Sequence, residues 1–214
     1  MKKYGILMAA VMIFTISSQA QVVNTGAGIG IRAGVNFQNL NGEDASGDKL
    51  DNKLKTGFHA GLIADIPVAP DFYFQPGLLY SAKGAELDNS TVNSTDLRLN
   101  YIEMPLNLVY KPMLGTGRLL LGFGPYVGYG LGGKAEFSGM ESDVKFEKEA
   151  GNAANTVYFK PFDAGANLLF GYEFSNKLSA QLNAQLGLIN INAYDNDAKI
   201  KNTGFGVSLG YRIK

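Results

Sequence analysis

Gly28-Ile29-Gly30-Ile31-Arg32-Ala33-Gly34-Val35-Asn36-Phe37-Gln38 is the stretch that decides the fold. Ile29, Ile31, Ala33, Val35 and Phe37 share one face of an extended strand, while Arg32, Gly34, Asn36 and Gln38 share the other, because successive side chains of a strand point to opposite sides. The alternation continues outward from here. Residues 58–66 set Phe58, Ala60, Leu62, Ala64 and Ile66 against His59, Gly61 and Asp65. Further segments run over 72–83, 99–110, 118–131, 162–174, 178–191 and 203–213. Eight antiparallel strands are expected, and the absence of any linker or composition shift points to one domain.

The connections alternate in length. Those at 41–54, 84–98, 132–161 and 192–202 are long, and those at 67–71, 111–117 and 175–177 are short. An even number of strands with short turns at one end and long loops at the other is the arrangement of an up-and-down transmembrane β-barrel. Composition agrees with an all-β chain. Glycine occurs 27 times, in strand-like rather than low-complexity stretches, and each glycine in a helix would cost about 1 kcal/mol relative to alanine. Lys+Arg and Asp+Glu are equal at 19 each, so no basic surface exists of the kind nucleic acid requires. With no cysteine, neither disulfides nor thiolate metal sites can form.

At the N-terminus Lys2-Lys3 precede an apolar run from Ile6 to Ile16 and the small-x-small sequence Ser18-Gln19-Ala20. This is the pattern of a cleaved signal peptide over residues 1–20, with residues 21–214 forming the exported domain. The apolar run is too short for a membrane-spanning helix, which needs about 20 residues. Cleavage removes two lysines and no acid, leaving the exported chain slightly acidic.

Alternation alone also describes a soluble ligand-binding barrel with its apolar face inward. Two features favour the opposite facing. The polar faces are rich in Gly, Asn, Gln and Ser and poor in charge, unlike a surface bathed in water, which carries about 25–35% charged residues. Aromatics on the apolar faces gather at strand ends. Phe37, Phe58, Tyr80, Tyr129, Phe162 and Phe205 lie on the long-loop side, and Phe72, Phe74, Tyr110, Tyr172, Phe174 and Tyr211 on the short-turn side. Two aromatic girdles around an aliphatic band suit a bilayer.

Gln75-Pro-Gly-Leu-Leu-Tyr-Ser-Ala-Lys-Gly84, Leu99-Asn-Tyr-Ile-Glu-Met-Pro-Leu106, Gly124-Pro-Tyr-Val-Gly128, Gly171-Tyr-Glu-Phe174 and Gly210-Tyr-Arg-Ile213 resemble the bacterial outer-membrane β-barrel domain family often labelled porin-family or PorT-like. The resemblance covers essentially the whole exported chain. It implies an eight-stranded barrel of the OmpA/OmpX shape in the outer membrane, usually without an assigned activity. Such barrels generally end in an aromatic residue, whereas this sequence ends Ile213-Lys214.

Eight strands enclose room for side chains only, so a wide pore is not expected. Tyr101, Tyr126, Leu79, Leu120 and Leu169 should help fill the lumen, together with a charge network of Arg32, Lys83 and Arg212 with Asp65, Glu103, Asp163 and Glu173. By strand counting, Arg32 should lie near both Asp65 and Arg212, with Glu173 reaching across, and loss of Arg212 should strand carboxylates in a dry interior. His59 is the sole histidine. With a turn centred on Ala69, Leu79 would face it and Ser81 would lie two residues on; Ser81, His59 and Asp163 are the minimum for hydrolysis, but no motif supports a triad. The acidic stretch 41–51 lacks an EF-hand spacing and reads as a solvated loop. Gly26-x-Gly28-x-Gly30 is preceded by no strand and followed by no helix, so it is strand glycine.

The expected role is therefore structural or surface-interacting, through the extracellular loops, with no enzymatic activity, cofactor or metal. A narrow transporter or channel of the outer membrane is the alternative, and a lipid-modifying enzyme ranks third. The expected partners are outer-membrane lipid, the barrel-insertion machinery during assembly and an extracellular ligand on loop 132–161, where the competing reading is a disordered or protective crown. The chain is expected to act as a monomer.

Overall fold

The computed structural model describes residues 27–87, 95–137 and 139–213. The signal-peptide segment 1–20 lies outside them. Among the described residues there are twelve strands and no helix: β1 (Gly28–Glu43), β2 (Asn52–Lys53), β3 (Lys55–Ala69), β4 (Phe72–Leu87), β5 (Thr95–Tyr110), β6 (Met113–Leu114), β7 (Gly117–Phe137), β8 (Met140–Phe146), β9 (Thr156–Phe159), β10 (Phe162–Glu173), β11 (Leu178–Gly187) and β12 (Lys199–Arg212).

Eight of these, β1, β3, β4, β5, β7, β10, β11 and β12, pair antiparallel with a neighbour on each side. Because β1 pairs with β12 from Gly30↔Arg212 to Glu43↔Lys199, the ring closes and has no free edge. Its strands match the eight alternating segments, but several run well past them. β1 continues to Glu43, β4 to Leu87 and β7 to Phe137, while β5 starts at Thr95 and β12 at Lys199.

The short connections turn on backbone that only some residues accept. Asp71 (φ 60°), Gly115 (φ 64°) and Lys177 (φ 69°) each sit in the left-handed region. Between Pro67 and Ala69 the β3–β4 register shifts, placing Pro70-Asp71 at the turn. One extra residue in a ladder moves every pairing beyond it. Because the turn lies at Pro70-Asp71 and is not centred on Ala69, His59 pairs with Ser81 and Leu79 with Gly61, which corrects the expected register.

Side-chain facing follows the sequence parity. Ile31, Val35, Phe58, Leu62, Leu78, Phe123, Leu168 and Leu209 are exposed on the outside of the ring, while Arg32, Asn36, His59, Gln75, Ser81 and Asn107 are buried within it. Aromatic pairs mark both ends of the apolar outer band: Phe37 with Phe205, Phe58 with Tyr80 and Tyr129 with Phe162 at one end, Phe72 with Tyr110 and Tyr172 with Phe174 at the other.

Beyond the first of these bands the polarity inverts on the same strands. On β5 the outward residues change from Ile102, Met104 and Leu108 to Asp96, Arg98 and Asn100, and the buried ones from Glu103 and Asn107 to Leu97, Leu99 and Tyr101. Here β7 leaves β10, its last pair being Tyr129↔Phe162, and takes β8 as partner from Gly133↔Val144 to Phe137↔Met140. β9 lies parallel to β8 and bridges onward through Phe159↔Asn192. The described residues of segment 132–161 are thus folded and do not form a disordered crown; Ser138 lies outside the described residues. Its Val144, Phe146, Val157 and Phe159 pack with Leu40, Ala85, Leu97, Leu99, Ala135 and Ile191 into an apolar core that caps the ring.

The ring is narrow enough that glycine is required at many inward positions. A Cβ on Gly34 would stand 2.2 Å from the Val207 carbonyl oxygen and 2.6 Å from the His59 ring. Gly34→Val should lower the unfolding midpoint in urea by an amount corresponding to about 1–3 kcal/mol or more, or block folding, whereas Ala33→Val on the outer face should leave the midpoint nearly unchanged. Equal midpoints for the two variants would contradict this facing.

Candidate functional site: the charged interior

The side chains that can carry chemistry converge inside the ring, and they lie in layers. Nearest the apolar cap, Lys83 from β4 meets Glu103 from β5 and lies 3.3 Å from Asp163 of β10. Asp163 Oδ2 also accepts from Tyr126 (3.1 Å) and from Asn202 (2.9 Å). The Lys83 ammonium sits over the Tyr126 ring, 4.6 Å from its centroid. Strand pairing fixes this meeting, since Gly128 of β7 pairs with both Glu103 and Asp163. All three charges are buried, so the layer holds one cation against two carboxylates.

The middle layer is uncharged. His59 Nδ1 lies 2.6 Å from Asn36 Oδ1 and Nε2 lies 2.8 Å from Ser208 Oγ. Asn36 Nδ2 donates to Ser81 (3.2 Å), and Ser208 Oγ accepts from Asn183 (2.6 Å). One assignment satisfies the chain: Nδ1–H donates to Asn36 and Nε2 accepts from the Ser208 hydroxyl, which makes the imidazole neutral. A cavity of about 40 Å³ adjoins these residues, with Gln38 and Asn107 in its wall. That is room for a few waters. Ser81, His59 and Asp163 do not assemble as nucleophile, base and acid. Asn36 stands between Ser81 and His59, and Asp163 holds Lys83, Tyr126 and Asn202.

The third layer lies toward the short turns. Arg32 Nη2 donates to Gln75 (2.7 Å), and Gln75 Nε2 donates to Asp65 (2.7 Å). Lys111 donates to the other oxygen of Asp65 (2.6 Å) and stands 3.8 Å from Glu173. Arg212 reaches Glu173 at 2.7 Å. Arg32 and Asp65 are thus coupled, but through the Gln75 amide, and no contact joins Arg32 to Arg212. The expected consequence of losing Arg212 also needs correction. Its side chain is 42% exposed, and Glu173 would keep Lys111.

Lys111 is the hub of this layer, and the sequence reading placed it in a turn. It shares the parity of Glu103, Asn107 and Val109, all inward, and that was the available signal. Gln75 was equally legible as an inward residue, but its bridging role depends on the register of three strands. The hard oxygens of residues 41–51 do not gather either. Asp44 Oδ1 is used to accept from the backbone of Ser46 and Asp48, and no metal-holding group of acids or histidine occurs among the described residues.

Comparison with known proteins bears on the whole ring. Residues 19–193 match the family model described as outer membrane protein beta-barrel domain. Among solved structures the chain is similar to Neisserial surface protein A (TM-score 0.48, 13% identity, 88% of this chain and 100% of that one) and to a major outer membrane protein from Thermus thermophilus (TM-score 0.44, 10% identity, 88% and 100%). It is also similar to the outer membrane protein AlkL, solved by solid-state NMR in lipid bilayers (TM-score 0.37, 14% identity, 92% and 95%). No curated protein matches the chain. The family match extends over most of the sequence, so this chain belongs to the outer membrane protein beta-barrel domain family and resides in the outer membrane.

Proposed function

We propose that the closed ring is an eight-stranded up-and-down transmembrane barrel, exported by a cleaved signal peptide over residues 1–20, that serves as a structural or surface-interaction protein through its folded cap and not as a pore or an enzyme. The observation that carries this reading is the filled interior. Polar and charged side chains occupy the lumen, and the apolar core of β8, β9 and their neighbours stands over it. A diffusion channel needs about 16–18 strands. The apolar outer band between two aromatic girdles marks the part surrounded by lipid, where a closed ring leaves no backbone group unpaired.

The short turns then face the periplasm and the cap faces outward, as in other barrels with short periplasmic turns. A rigid cap offers a partner a fixed surface without an ordering cost at binding. Catalysis has no support from the interior, where the neutral His59 is held by two amide and hydroxyl partners.

Four measurements test this reading. The purified protein should begin at Gln21 by mass spectrometry, show heat-modifiable mobility and give no stable porin-scale conductance in planar bilayers. Long-lived openings at that scale would overturn the plugged-barrel assignment. The interior network, proposed as structural, should depend most on Lys111, which is 4% exposed. Lys111→Met leaves Asp65 and Glu173 short of a cation and should cost about 3–5 kcal/mol in urea unfolding, more than Arg212→Met at the wet rim. An unchanged midpoint for Lys111→Met would show that the network does not hold the barrel together.

A further inference from the structure

The interior charges balance overall but not locally. Near the cap one lysine faces two carboxylates, so the compensating excess of cations falls at the other end. There Arg32 and Lys111, with Arg118 and Arg212 at the rim, stand against Asp65, Glu173 and the turn residue Asp71, an excess of one cation. Asp65 is already bound by Lys111 and by the Gln75 amide, and Glu173 by Arg212 and Lys111. The remaining carboxylate, Asp71, is on the exposed turn and stands 3.7 Å from Arg118.

A cavity of about 60 Å³ opens in this layer, with Asp65, Tyr73, Lys111, Arg118, Glu173 and Arg212 in its wall. Two guanidinium groups line it with donors unspent. The contacts of Arg118, to Tyr73 (3.3 Å), to the Lys111 carbonyl (3.4 Å) and to Asp71, all run through Nη1. Arg212 binds Glu173 through Nη2, and its buried Nε has no acceptor. Planar guanidinium forks bind oxyanions through paired N–H groups, and such charge-assisted bonds are about twice as strong as neutral ones. With Asp71 counted, four cations stand here against three carboxylates, and donors from two separate guanidinium groups and a phenol can reach more oxygens of a tetrahedral oxyanion than a planar carboxylate offers.

We propose that this mouth of the lumen binds a phosphate group between Arg118 and Arg212, with the Tyr73 hydroxyl as a further hydrogen-bonding group. The proposed orientation puts the site at the periplasmic surface, where the phosphate arrives either as the free ion or on the headgroup of an inner-leaflet phospholipid. Binding compensates the cationic excess that the fold leaves at this end. Nothing in the proposal requires the cap or its ligand.

The test uses the folded protein in a sugar-headgroup detergent, which carries no phosphate. Inorganic phosphate is titrated at constant ionic strength against chloride, with the amide resonances of Gly117 and Arg118 as readout. Saturable shifts are expected, weakened at least tenfold in Arg118→Met, partly kept in Arg118→Lys and unchanged in Lys134→Met on the cap. Heat-modifiable mobility confirms that each variant is folded. In a second arm phosphatidylglycerol is added to the micelles at the same phosphate concentration. Shifts with the lipid but not the ion identify a headgroup site. Absence of saturable shifts in both arms, or shifts that persist unweakened in Arg118→Met, would overturn the proposal.

Discussion

The pairing of β1 with β12 is the constraint on which everything else rests. Fourteen consecutive partners join the two ends of the strand sequence, so no strand in the ring is left with an open edge. Closure fixes which face of each strand points inward, since a slip of one residue would exchange the faces throughout. It also fixes the bore. Within so narrow a ring Gly34, Gly61, Gly124 and Gly165 lie against neighbouring backbone, and the larger inward residues fill the space those glycines leave. Tyr126 is the clearest case, its ring 2.7 Å from where a side chain on Gly165 would begin and in contact with Asp163 and Lys83.

One wall serves two solvents. Through the apolar band the outside meets lipid, so the polar side chains turn inward and must satisfy one another. That is why the interior contains paired ions and a continuous amide and hydroxyl chain around His59. Above the girdle the outside meets water, and the same strands bury Leu40, Ala85, Leu97, Leu99 and Ala135 instead, against the valines and phenylalanines of β8 and β9. Phe146 links the two storeys. Its ring contacts Tyr101 and lies where a side chain on Gly130 would have to stand. The apolar cap therefore rests directly on the charged layer of Lys83, Glu103 and Asp163.

The barrel was legible in the sequence to the extent that one rule governs it. Alternation from Ile29 to Gln38, and in seven later segments, marks the strands, their facing and the girdles without reference to distant residues. The cap was not legible. Leu40, Leu97 and Leu99 keep the period of two but reverse its polarity, so a reader following the apolar outer face ends each strand too soon. The partners of Val144 and Phe159 come from β1, β4, β5 and residue 191, and no local pattern announces such contacts. Within the site, individual inward charges followed from parity, but their pairing did not. The placement of the turn at Pro70-Asp71, not at Ala69, changed the partner of His59, and the assignment of 111–117 to a turn concealed Lys111.

The inversion of polarity along a single strand is the central claim, and β5 allows it to be measured directly. The chain has no cysteine, so single cysteines at Asp96, Arg98, Asn100, Ile102, Met104 and Leu108, all facing outward, can each carry a nitroxide in the protein reconstituted into liposomes. Collision rates with oxygen, which concentrates in lipid, and with a water-soluble nickel chelate would be compared at each site. Labels at residues 96, 98 and 100 should favour the chelate and those at 102, 104 and 108 should favour oxygen, with the change falling between Asn100 and Ile102. Chelate access at Met104 and Leu108 equal to that at Arg98 would contradict the account.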